Sequence, residues 1–266
     1  MTQTRRYEGK VTVVTGGSKG IGLGCVKAFV ENGGATVVFC SRNESEGRAV
    51  EADMNRRGPG SAHFIRADVS RTDDIRRVID FAVQQFGRID CLINNAGWHP
   101  PHQSIDDFSI EDFRSLVELN LVSYFAACKF ALPHLRQVKG NIINMSSLVG
   151  TMGQAGAATY VATKGGITGL TRALAVDEAA YGVRVNAVSP GNIYTPLWQE
   201  AIDAAPDPAK CRADGDAAQL LGRMGTIEEA GLLCLYLAAE ATFTTGVDHV
   251  LSGGAELGYG RKSRTS

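Results

Sequence analysis

Residues 10–22 read KVTVVTGGSKGIG. A run of β-branched residues ends in a cluster of glycines. An apolar, helix-compatible stretch then follows through 20–32. Continuous apolarity over five or six residues predicts a strand buried on both faces, as in a parallel sheet. Gly16, Gly20 and Gly22 let the chain turn sharply off that strand and bring backbone N–H groups to the start of a helix. Such a turn cradles a pyrophosphate when it joins a first strand to a first helix.

The same alternation repeats along the chain. Strands are predicted at 10–15, 35–40, 62–66, 89–93, 140–145, 183–188 and 247–251. Helices are predicted near 20–32, 44–57, 71–86, 109–137, 157–181 and 226–239. Strand–helix alternation implies right-handed βαβ units and a doubly wound parallel sheet of about seven strands, with helices on both faces. No linker-like break in composition appears, so residues 1–266 are expected to form one domain. The tail 256–266 is expected to be flexible or to lie at a subunit interface. The helices at 109–137 and 157–181 lack a polar face, which implies burial on two sides, the second by another subunit. Residues 196–222, with Pro196, Pro206 and Pro208, are expected to form a long connection able to cover a substrate.

Composition narrows the function classes. Of the 266 residues, 44% are hydrophobic and 21% charged, which suits a soluble globular protein. A net charge of −1 and the lack of a recognisable nucleic-acid module argue against nucleic acid as a partner. No uninterrupted apolar stretch has the length of a membrane span, and no apolar signal segment opens the chain, so a cytosolic protein is expected. None of the six cysteines makes a C-x-x-C pair, and five lie in apolar segments, so they are expected to be free thiols.

Chemistry enters with NNAGWHPP (94–101) and with residues 144–164, NMSSLVGTMGQAGAATYVATK. Asn94, Asn95, Ala96 and Gly97 leave the carboxyl end of a strand, where α/β sheets bind ligands. Ser147 follows the fifth strand. Tyr160 and Lys164 stand four residues apart, on one face of a helix. Asn120 lies in an otherwise apolar helix, where a carboxamide is unfavourable unless hydrogen-bonded.

These motifs in this order resemble the short-chain dehydrogenases/reductases. They are T-G-x-x-x-G-x-G (Thr15 to Gly22), N-N-A-G (Asn94 to Gly97), Asn120, Ser147, Y-x-x-x-K (Tyr160, Lys164) and P-G (Pro190, Gly191), and the resemblance spans roughly residues 8–255. It implies a single-domain Rossmann-type fold and hydride transfer between a nicotinamide dinucleotide and a secondary alcohol or ketone. Tyr160 would be the general acid/base, with its pKa lowered by Lys164 and by the positive ring of an oxidised nicotinamide. Ser147 would hold the substrate oxygen, Lys164 would also bind the ribose, and Asn120 would hold a proton-relaying water. The cofactor site would comprise Gly16, Ser18, Lys19, Gly20, Ile21 and Gly22 in the turn, and Ser41 and Arg42 after the second strand. Asp68 and Val69 would flank the adenine, Asn94 would lie along the ribose, and Ala96 and Gly97 would also belong to the cofactor site. Pro190, Gly191, Ile193 and Thr195 would reach the carboxamide and pyrophosphate.

Further stretches, including SSLVG, YVATKG, YGVRVN, SPGNI-x-TPLW and GGAELGYG, resemble a branch acting on 17β-hydroxysteroids or on L-fucose. They imply an estradiol-type substrate, with a sugar as the alternative, and a homotetramer in which Tyr259 reaches a neighbouring site. Trp98, His99, Gln154, Tyr194, Leu197 and Trp198 are expected to line the substrate pocket with Ser147 and Tyr160. His99 and His102 flank two prolines without an acid at ligand spacing, so no metal is expected. NAD-preferring members, that branch included, carry aspartate where Ser41 stands. Here a hydroxyl and the Arg42 guanidinium, with Lys19 nearby, favour the 2′-phosphate of NADP over NAD. A catalytically silent dinucleotide-binding regulator is the alternative of a different class. The presence of all four candidate catalytic residues argues against it.

Overall fold

A computed structural model describes residues 5–257. Seven strands form one sheet: β1 (Val11–Thr15), β2 (Thr36–Ser41), β3 (Ser61–Arg66), β4 (Cys91–Asn94), β5 (Asn141–Met145), β6 (Arg184–Pro190) and β7 (Asp248–Leu251). All pairings are parallel and the order is β3-β2-β1-β4-β5-β6-β7. The order reverses between β1 and β4, which opens a crevice at the carboxyl ends of these two strands.

The helices are α1 (Gly20–Lys27), α2 (Glu44–Arg57), α3 (Thr72–Phe86), α4 (Ile110–Val117), α5 (Ser123–Val138), α6 (Val149–Met152), α7 (Ala158–Glu178), α8 (Pro196–Asp203), α9 (Pro208–Ala217) and α10 (Ile227–Ala239). One core layer joins Val26 and Phe29, Met54 of α2 and Leu235 of α10 to the sheet. The opposite layer joins Ile75 and Ile79 of α3 with Ala131 and Leu135 of α5. Central strands are covered on both faces, which is why they read as unbroken apolar runs. Glycine governs one helix contact: a Cβ on Gly24 would collide with the Ile227 carbonyl of α10, and one on Gly231 with the Gly24 carbonyl.

Two local features differ from the sequence reading. The expected helix over 109–137 is broken into α4 and α5 by a π turn at Glu118–Val122, which holds Asn120. The extra residue in a π turn rotates the side chains that follow, a device common at functional sites. The segment 196–222 is not an irregular loop. Pro196 and Pro208 each start a short helix, with Thr195 and Asp207 accepting hydrogen bonds from Trp198 N and Lys210 N. Proline is tolerated there because first-turn N–H groups have no partner within the helix. On a single copy, Phe125 of α5 and Val176 of α7 remain exposed, so one side of each apolar helix is uncovered. Tyr259 lies outside the described residues.

Candidate active site

The glycine turn forms the floor of the crevice. Gly16 and Gly20 have φ values of +69° and +57°, in the region that side-chain-bearing residues rarely adopt. A Cβ on Gly22 would collide with the Gly16 carbonyl. Ser18 is buried in the turn, Lys19 is exposed at its rim, and Ile21 packs on the core beneath. Asn95, in the loop after β4, donates from Nδ2 to the carbonyls of Thr15 (3.0 Å) and Gly16 (3.2 Å). The Thr15 hydroxyl accepts from Asn95 N and Ala96 N. The two loops facing the crevice are thus locked together. The sequence placed Asn95 on this loop without giving its side chain a role; the second N of the N-N-A-G motif was the signal.

Asn94 departs from expectation. Its side chain is fully buried and donates to Asn144 Oδ1 (2.9 Å) and Cys128 Sγ (3.3 Å). It fastens β4 to β5 below the crevice and does not open onto a ribose. Alternation along a strand explains this: at a strand's end, neighbouring residues face opposite layers.

Across the crevice, Gly191 closes on Ser252, and Ile193, buried, bridges to Gly225. Pro190 ends β6. A Cβ on Gly20 would lie 3.7 Å from the Thr195 methyl, so the caps of α1 and α8 face each other across the crevice. These residues fit a dinucleotide: two helix N-termini, a turn that admits no side chain at Gly22, and a lysine below.

That lysine is Lys164. It is 4% exposed and donates to the Met145 carbonyl at 2.8 Å. Its Nζ lies 5.7 Å from the Tyr160 ring centroid and 5.5 Å from that of Tyr124. The Tyr124 hydroxyl donates to the same Met145 carbonyl. Tyr160 occupies the first turn of α7, and Ser147, half-buried beyond β5, is near enough to its phenol to lower the pKa. Burial pushes the Lys164 pKa down to about 7 and the Tyr160 pKa up to about 12, against a lowering by Ser147. The lowered tyrosine pKa expected from the motif is therefore not a property of these side chains alone. Desolvation disfavours both charged forms, and the phenolate needs added positive charge in the crevice.

Asn120 ties the π turn to the loop after β4 and to α7. Its Oδ1 accepts from Trp98 N (2.9 Å), and its Nδ2 donates to Trp98 O (3.0 Å) and Thr163 Oγ1 (3.2 Å). The carboxamide makes three hydrogen bonds within the protein. It fixes the backbone beside Gly97, whose Cβ position would lie 3.7 Å from Lys164 Nζ.

The expected substrate residues surround Tyr160 unevenly. The His99 ring lies against the Tyr160 ring, centroids 4.1 Å apart. His99 Nδ1 is 2.6 Å from the Pro100 carbonyl, which can only accept, so Nδ1 carries a proton. His99 Nε2 is 3.0 Å from Gln154 Oε1. Trp98 and Leu197 are about half exposed. Tyr194 is held outside by Arg212, whose guanidinium lies 4.4 Å from its ring, and by Gln199, which accepts from its hydroxyl. Trp198 packs on Gly215 of α9, which fixes α8 against α9. Val69 is buried, and Asp68 lies in a cleft with Arg42 at the far end of the crevice.

Comparison with known proteins agrees with this geometry. Residues 10–205 match the family model described as short chain dehydrogenase. The chain is 52% identical over 263 residues to an L-fucose dehydrogenase of Bos taurus, covering 99% of this chain and 95% of that protein. It is 53% identical to an L-fucose dehydrogenase of Rattus norvegicus, covering 100% and 96%. Its fold superposes on the crystal structure of Cj0485 dehydrogenase with a TM-score of 0.90, 28% identity and coverage of 99% and 100%. With a glycine turn at the sheet's switch point, a serine–tyrosine–lysine set at its rim and a family match across most of its length, this chain belongs to the short-chain dehydrogenases, oxidoreductases that act on CH–OH groups with NAD(P).

Proposed function

We propose that the protein oxidises a hydroxyl of a small sugar, L-fucose or a related aldose, with NADP as the favoured dinucleotide. The observation that carries the reading is the polar pair His99–Gln154 beside Tyr160. A sugar requires several hydrogen-bonding groups around the reacting carbon, whereas a steroid requires a long apolar wall. The names of the full-length relatives support the sugar. The sugar therefore takes precedence over the estradiol-type substrate expected first from the sequence.

A bound nicotinamide ring supplies the acceptor for the hydride that leaves the substrate carbon. Ser147 and Tyr160 hydrogen-bond the substrate oxygen, and Tyr160 takes its proton as the C–O bond becomes a carbonyl. Lys164 uses one N–H on Met145 and directs the others to ribose hydroxyls. When protonated, its ammonium favours the phenolate. Asn120 positions Trp98 and, through it, the wall carrying His99.

Cofactor preference rests on Ser41, which brings no carboxylate to repel a 2′-phosphate, and on Arg42 beside it. The reading includes a homotetramer, which would cover the apolar side chains exposed on one copy, among them Phe125, Val176, Tyr236 and Val250.

The test is a side-by-side assay of L-fucose and estradiol, each with NADP and with NAD, followed by the absorbance of the reduced nicotinamide. Turnover of L-fucose with NADP is expected. Turnover of estradiol alone would overturn the substrate class. Tight dinucleotide binding without turnover of any alcohol would favour a regulator.

A further inference from the structure

A cleft of about 490 Å³ beyond the carboxyl ends of β2 and β3 is lined by Arg42, Arg66, Ala67, Asp68, Arg71, Asp74 and Arg77. Four guanidinium groups there face two carboxylates. The carboxylates are largely committed. Asp74 pairs with Arg77 at 2.9 Å and accepts from Asp68 N at 2.8 Å. Asp68 accepts from the backbone N–H and hydroxyl of Ser70. Arg77 is occupied by Asp74 and by the Arg66 carbonyl. Arg71 lies within electrostatic reach of Asp74. Yet no salt bridge among the described residues involves Arg42, Arg66 or Arg71.

The backbone explains why these three converge. Arg66, the last residue of β3, is in register with Ser41, the last of β2. Partners on parallel strands lie about 4.8 Å apart and project to the same face. Ala67 N donates to the Ser41 carbonyl at 3.0 Å, which extends the pairing one step further. Arg42 follows Ser41 directly. Arg71 caps the start of α3, its N–H held by the Asp68 carbonyl at 2.9 Å, at the positive end of the helix dipole. Solvated arginines on a convex surface would need no partner. Three around one concavity raise one another's energy, and a dianion between them relieves it.

We propose that Arg66 and Arg71 join Arg42 in a cage for a phosphate monoester on the adenosine ribose, making them specificity-determining residues for NADP. The proposal rests on the NADP reading above and extends it to two residues on other segments. All three bring fork-shaped donors that suit phosphate oxygens.

Calorimetric titration with adenosine 2′,5′-bisphosphate and with AMP tests it without turnover. The proteins are the full-length wild type and the R42A and R66A/R71A variants. The wild type should bind the bisphosphate more tightly than AMP. In R66A/R71A the bisphosphate should weaken by at least about tenfold, while AMP changes by less than about threefold. If the wild type prefers the bisphosphate and R66A/R71A keeps the same ratio, the cage is wrong and the NADP reading stands on Arg42 alone. If the wild type binds both alike, the NADP reading itself fails and the cage with it. All three arginines are exposed, so their loss should leave the melting temperature unchanged and the result readable.

Discussion

The His99 imidazole packs against the Tyr160 phenol, with centroids 4.1 Å apart and planes 42° from parallel. A histidine that touches the candidate proton acceptor and also hydrogen-bonds Gln154 joins the substrate wall to the reacting atoms. The first prediction concerns this contact. His99→Ala should raise the KM for L-fucose by about tenfold, on the scale of one or two lost hydrogen bonds, with a smaller change in kcat. Steady-state kinetics checks it. A fall in kcat at unchanged KM would instead assign His99 to positioning Tyr160.

Tyr160→Phe keeps the ring packing and removes the hydroxyl. We predict a loss in kcat of about 10²- to 10⁴-fold, the usual contribution of a general acid or base. Dinucleotide binding, read by fluorescence titration, should persist because Lys164 and the glycine turn are untouched. Undiminished turnover would remove Tyr160 from the chemistry.

Lys164 offers a test of stability against pH. Burial lowers its pKa from 10.5 to about 7. Between these values the unfolded chain binds the proton and the folded one does not. Stability should therefore rise with pH from about 7 to about 10.5, and the full penalty applies below that window. The penalty is on the order of 5 kcal/mol, at 1.36 kcal/mol per pKa unit. Lys164→Met should flatten this part of the profile in the dinucleotide-free protein while abolishing turnover. Thermal melts of both proteins across the window provide the comparison, and parallel profiles would contradict the assignment.

Asn120→Ala removes three hydrogen bonds in the π turn and leaves the Trp98 backbone groups without partners. We predict a destabilisation of about 1–3 kcal/mol, the range for a buried group left unsatisfied. Trp98 emission should also change, read in a Trp198→Phe background because the chain has only two tryptophans. A loss of activity with unchanged emission would return Asn120 to a direct role in proton transfer.

Much of the architecture was legible in the amino-acid order. Apolar runs such as Val11–Thr15 can be satisfied only in the middle of a sheet, and the intervening helical periods leave a parallel arrangement as the simple solution. Gly16, Gly20 and Gly22, Ser147, and the Tyr160–Lys164 spacing marked the crevice, because local conformation and helix periodicity are short-range properties. Other features depended on what meets what across the fold. The commitment of Asn94 to Asn144 and Cys128, and of Asn120 to Trp98, joins residues twenty to fifty positions apart. The upward push on the Tyr160 pKa is a consequence of burial, which no spacing reveals. Arg66 stands beside Ser41 only because β3 pairs with β2 in a particular register. Sequence thus determined the elements and the chemical types at the site. Tertiary packing decided which of those groups face the crevice and which charges go unpaired, since burial and strand register are set by contacts distant in the chain.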